Sequence, residues 1–212
     1  MVDGVPPDRV MAGWRLACGE SFPTRCGDEL VVFEDYFYRG FGVLIHPFLH
    51  GLVNYYGISL CNQGPNSVLH VYVFIHFYEA YHGILPHFDL FRHLFCLKAR
   101  GRCGFRIVGS AYLQLRDGMV GQYIATPLNM NVKYWAQRWF YMPQGEHHVA
   151  CDIDQIPMSN AKWSERPGVN GMEQVKGLLT LIDQRRVDGV IVAMNFTFRR
   201  CQPSKERAHP VN

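Results

Sequence analysis

Ten histidines run through the chain, and most fall between His46 and His93, so metal ligation is the first chemistry to weigh. His46 and His50 stand four apart and His76 and Glu79 three apart, spacings that on a helix would turn both side chains toward one ion. Their surroundings argue against it. These imidazoles sit in an apolar, aromatic stretch, where such a ring is ordinarily a hydrogen-bonded packing group. No CxxC pair accompanies them, and the cysteines at 96 and 103 have no zinc spacing. No metal site and no cofactor is expected.

Other catalytic patterns are equally thin. There is no P-loop, no dinucleotide-binding glycine motif and no nucleophile elbow. Between Phe41 and Gly145 the carboxylates are Glu79, Asp89 and Asp117, whereas a metal-dependent nuclease or strand-transfer site needs several that converge on Mg²⁺. Asp152 and Asp154 form a DxD, but in a polar stretch where solvated acids are the plainer reading. No catalytic residues are expected, and a nuclease or transposase activity ranks last.

Basic residues gather near the C-terminus, where Arg185, Arg186, Arg199, Arg200, Lys205 and Arg207 outnumber Asp183, Asp188 and Glu206. Arg199, Arg200, Lys205 and Arg207 are the candidates for nucleic-acid binding, since such a face could contact phosphates. The solvated side of two helices explains them as well, and a net charge of +3 favours that reading. Tyr134, Trp135, Arg138, Trp139, Phe140 and Tyr141 mix rings and charge like a stacking platform, with three or four expected to face a core.

The elements that would position these residues follow from periodicity. Leu30, Phe33 and Phe37 repeat as on a helix that starts near Asp28 and stops at Gly40. Pro47 opens a second helix, with Phe48, Leu49, Leu52, Val53 and Tyr56 inward and Gly57 as its stop. Pro65 opens a third, apolar nearly all round and ended by Gly83 and Pro86, and a fourth follows at about 87–97. After Gly104 the period becomes two, and Asp117-Gly118 predicts a hairpin whose second strand covers about 119–126. Residues 132–142 suit strand or helix. Two C-terminal helices are expected, the first buried through Val175, Leu178, Leu179 and Ile182, the second through Val190, Ile191, Met194 and Phe198, with Asp188 as a cap.

These elements make an α+β fold: a mainly α-helical N-terminal core of about four helices, a small antiparallel hairpin or sheet, then two C-terminal helices. The expected layout is an extended leader at 1–27, the core and sheet at 28–142, a polar linker at 143–171, the helix pair at 172–200 and a basic tail at 201–212. From Phe41 to Leu97 the only formal charges are Glu79, Asp89 and Arg92, so that stretch must be interior. Val68–Tyr81 is the most apolar run, but it is too short and too polar for the roughly 20 residues of a membrane span. The opening residues Met1–Arg9 carry Pro6-Pro7 and charges, and the seven cysteines are odd in number and scattered. An intracellular protein of nucleus or cytoplasm with reduced thiols is therefore expected. The partners that fit are a second copy of the chain and nucleic acid, not a membrane or a small-molecule substrate.

The order of residues adds a lineage. FPT at 22–24, DELVVFEDYFYRGFGVLIHPFLHGLVNYYGISL at 28–60 and PNSVLHVYVFIHFYEAYHGILPHFDLFRHLFCLK at 65–98 resemble the gypsy-type transposon domain family of plant genomes, sometimes labelled transposase. YLQLRDGMVGQYI, KYWAQRWFY and FRRCQPSKERAHP extend the resemblance, while His50 and His82 depart from the family pattern. The resemblance implies a retroelement protein of gag-like or accessory type and carries over no catalytic residue.

Overall fold

A computed structural model of the chain describes residues 13–24, 29–42, 45–100, 107–119, 123, 132–143, 156–185, 187 and 189–201. The fold is mixed α+β, as the sequence pattern requires. Its elements are β1 (Arg15–Leu16), β2 (Glu29–Phe33), α1 (Glu34–Phe37), α2 (Pro47–Tyr56), α3 (Pro65–His76), α4 (Phe88–Leu94), β3 (Phe95–Ala99), β4 (Ala111–Leu115), β5 (Trp139–Pro143), α5 (Val169–Arg185) and α6 (Gly189–Phe196). α3 runs on as a π-helical segment, Phe77–His82, and α6 as another, Thr197–Cys201.

α3 is buried from Val68 to Ile75, so every side of it must be covered by another element. α2 lays Phe48 flat against Phe74 at 5.4 Å. Phe91 of α4 meets Phe74 edge-on at 5.0 Å and stacks on Phe95 at 4.7 Å. Ser67 near the start of α3 accepts the Leu113 amide at 2.9 Å, which ties the helix to β4. The expected ends hold: Pro47 and Pro65 open α2 and α3, while Gly57 and Gly83 close α2 and the π-helical segment in the left-handed region.

The helix expected from Asp28 is corrected to a strand followed by one helical turn. Leu30 to Phe33 are all buried and paired antiparallel to β5, Val31 opposite Tyr141 and Phe33 opposite Trp139. The adjacent β-branched Val31 and Val32 suit a strand, and full burial removes the alternation that would have announced it. β5 is the centre of a β1-β5-β2 sheet, so 132–142 contains a short 3₁₀ turn at Trp135–Gln137 and then a strand. Arg15 of β1 reaches across β5, its guanidinium 3.7 Å above the Tyr141 ring and bonded to Glu29 of β2 at 2.7 Å.

The fourth helix, expected to run to about 97, gives way at Phe95 to β3, and β4 pairs with it antiparallel, Leu97 opposite Leu113. Asp117-Gly118 does form a turn; residues 119–126, where the return strand was expected, lie almost wholly outside the described residues. The switch from α4 to β3 at Leu94–Phe95 depends on Arg116, whose Nε donates to the carbonyls of Arg92 and Phe95 at 2.8 and 3.0 Å. It supplies donors to the helix end that the chain abandons.

Arg92 fastens the next layer. Its guanidinium donates to Asp89 at 3.1 Å, Glu165 at 3.0 Å and the Arg166 carbonyl at 3.2 Å, and lies 5.0 Å from the Tyr55 ring. Beside it Trp163 is buried and donates to the Tyr56 carbonyl at 3.0 Å. α5 then passes so close to α4 that a Cβ on Gly171 would stand 2.7 Å from the Asp89 carboxylate.

α6 closes the structure over Gly40. This glycine has φ of +84°, and a Cβ there would come within 2.2 Å of the Phe196 ring. Gly40→Ala should therefore lose about 2–4 kcal/mol from strain and overpacking together. Chemical denaturation would measure the loss, and adding Phe196→Leu should restore part of it, because the two changes share one contact. Arg92→Ala should cost about 3 kcal/mol in the same assay, since it leaves a largely buried cluster without its cation.

Candidate interaction surface

The histidines do not converge. His46 caps α2, its Nδ1 accepting the Phe48 amide at 3.1 Å while Nε2 reaches Glu79 at 3.0 Å. His50 meets Asn54 at 3.2 Å. His70 is buried beside Phe95, and loss of solvation pushes its pKa down to about 4, so it is neutral. His82 packs 4.6 Å from Phe77, which explains an imidazole at a position that could be apolar. Among the described residues no three His, Cys, Asp or Glu side chains could hold a metal ion. Asp152 and Asp154 lie outside the described residues.

The aromatic-basic segment is core. Trp135, Trp139, Phe140 and Tyr141 are buried, and Arg138 pairs with Glu34 at 2.6 Å. Tyr134 alone of these rings is open, at φ +62°.

α6 carries the surface that remains. It buries Val192, Ala193 and Phe196, while Ile191, Met194 and Phe198 are 59%, 55% and 60% exposed. That corrects the expected stripe: the helix is apolar on both faces, and periodicity cannot say which one is covered. Val190 is half-buried. Arg199 and Arg200 follow on the same helical axis and are exposed; Lys205 and Arg207, like Arg186 and Asp188, lie outside the described residues.

Two residues that sequence reasoning did not single out lie near this end of α6, His76 beside the arginine pair and Arg39 beside Cys201. His76 bonds Asn195 and lies 5.4 Å from the Phe196 ring; burial lowers its pKa, and Arg200 and Arg199 lower it further. Arg39 is buried, its Nε has no partner, and burial depresses its pKa against the pull of Asp35 and Cys201. The signal for Arg39 was its place beside Gly40, but only α6 packing there gives it meaning.

No helix among the described residues is long and apolar enough to cross a membrane. No curated protein and no solved structure matches the chain. Residues 31–99 match the family model described as "Putative gypsy type transposon". The matched stretch runs from β2 through β3 and includes the Gly40 seat, the His46 cap and the Asp89–Arg92 pair. Over residues 31–99 the chain is thus similar to the gypsy-type transposon family.

Proposed function

We propose that the chain is a non-catalytic, gag-like or accessory assembly module of a gypsy-type element, acting inside the cell and associating with a second copy of itself. The observation that carries this reading is the open apolar stripe of Ile191, Met194 and Phe198 on a helix whose other face is already seated on the core. Clustered exposed side chains of this kind, unlike scattered ones, mark association surfaces.

Charge favours a second copy as the occupant. Arg199 stands at one end of the stripe, and the exposed Asp183 precedes its other end at the close of α5. Two such stripes laid antiparallel about a two-fold axis bring each Arg199 toward the other copy's Asp183. The engagement of the carboxylates supports a non-catalytic role: Glu20 and Glu29 hold Arg15, Glu34 holds Arg138, and Asp89 and Glu165 hold Arg92.

Light scattering across micromolar concentrations should give a mass that rises from one chain to two. Met194→Asp should hold the protein at one chain without lowering its melting temperature. Asp183→Arg should weaken the pair, and adding Arg199→Asp should restore it. A single-chain mass for the wild type throughout the range would overturn the proposal.

A further inference from the structure

α6 is eight residues long and is buried through Val192, Ala193 and Phe196. A short helix held by few buried side chains opens more readily than the core it covers. The Phe196 ring meets Gly40 on one side, where a Cβ would come within 2.2 Å. On the other it lies 5.4 Å from the imidazole of His76, the last residue of α3. His76 also bonds Asn195, the residue before Phe196, and its ring meets Tyr81 edge-on at 5.6 Å. The seat of α6 is thus built against one titratable group.

This seat suits the neutral ring. A neutral imidazole carries one N–H and an imidazolium two. The buried Nε2 of His76 has no hydrogen-bond partner, so a second proton leaves a donor stranded in the interior. Burial pushes the His76 pKa below the ordinary imidazole value, and Arg200 and Arg199 on the continuation of α6 push the same way. Asn195 and Glu79 pull it up, Glu79 being bonded at 3.0 Å to His46 as well, and burial outweighs them.

We propose that His76 is a proton-operated latch on α6: the neutral ring holds the helix over Gly40, and uptake of a proton releases it. Ile191, Met194 and Phe198 leave with the helix, so acid also separates paired chains. That consequence rests on the self-association proposed above, whereas the latch itself does not.

An opened α6 returns His76 to water and to the ordinary value of 6.5, above its value in the closed form. Above that pH both forms are neutral and the seat is at full strength. Below it the open form binds more protons, and closure weakens by up to about tenfold for each pH unit until the ring titrates in place.

The test follows amide hydrogen exchange of the full chain, at a concentration low enough to keep it single, from about pH 7.5 to about pH 5. Rates are expressed relative to the unstructured chain, so that the chemical effect of pH cancels. Protection of Gly189–Phe196 should fall by up to about tenfold per pH unit once the pH is below that of the solvated ring. His76→Gln, which can bond Asn195 but takes up no proton, should make this protection independent of pH. His93→Gln removes another imidazole whose pKa burial lowers, and should leave the response of α6 as in the wild type. Wild-type protection of α6 that does not change with pH overturns the latch, whether or not the His76→Gln chain folds. An acid response that survives in His76→Gln overturns it too.

Light scattering over the same pH range, at concentrations where the wild type pairs, follows the stripe. Acid should return the pair to single chains, and His76→Gln should stay paired. A chain that is single at every pH, with α6 protection still falling in acid, supports the latch and overturns the self-association. A pair unmoved by acid, with α6 protection flat, does the reverse.

Discussion

α3 has no polar face, and the remainder of the molecule is arranged to cover it. A helix buried from Val68 to Ile75 cannot be shielded by its sequence neighbours alone. α2 and α4 close two sides with Phe48 and Phe91, β4 ties on through Ser67, and α6 closes another through Phe196 against His76. Burial of these rings is worth roughly 2–3 kcal/mol apiece, so each covering element is held by the same apolar core. The family stretch at 31–99 contains the helix but only part of its cover.

The polar groups that survive in this interior do mechanical work. Arg92 and Arg116 each replace several contacts that water would have made, one joining α4 to the Trp163–Arg166 segment, the other satisfying the carbonyls where α4 becomes β3. The charges between Phe41 and Leu97 served in the sequence only to mark, by their scarcity, an interior stretch. Asp89 and Arg92 are instead the fasteners of that interior to chain far away in sequence.

Much of the fold was legible because helix ends carry local signals. Proline at the start and glycine at the stop marked α2 and α3 to the residue, and the break at Gly83–Pro86 separated α3 from α4. What stayed hidden depended on partners distant in the chain. ELVVF repeats its apolar residues as a helix would, and only β5, more than a hundred residues later, makes it a strand. Phe95–Ala99 likewise shows itself a strand only through β4, its partner later in the chain. The outward face of α6 was hidden for a related reason: GVIVAMNF is apolar all round, and the seat at Gly40 decides which side turns in. At the candidate surface Arg199 and Arg200 were visible as a charge cluster, while His76 comes near them only through packing.

The central position of β5 also sets a clock. Val31 finds its partner in Tyr141, and β1 pairs with the same strand, so during synthesis both segments leave the ribosome before the strand that hydrogen-bonds them exists. At ordinary elongation rates that interval is roughly 5–20 s, long compared with the microseconds of local helix formation. Over that time Leu30 to Phe33 form an unpaired, charge-free β segment, the kind of sequence that seeks an edge on any neighbour. The helices between Pro47 and Leu94 can form and begin to bury their rings meanwhile, which makes the helical core the waiting scaffold and the sheet the late event.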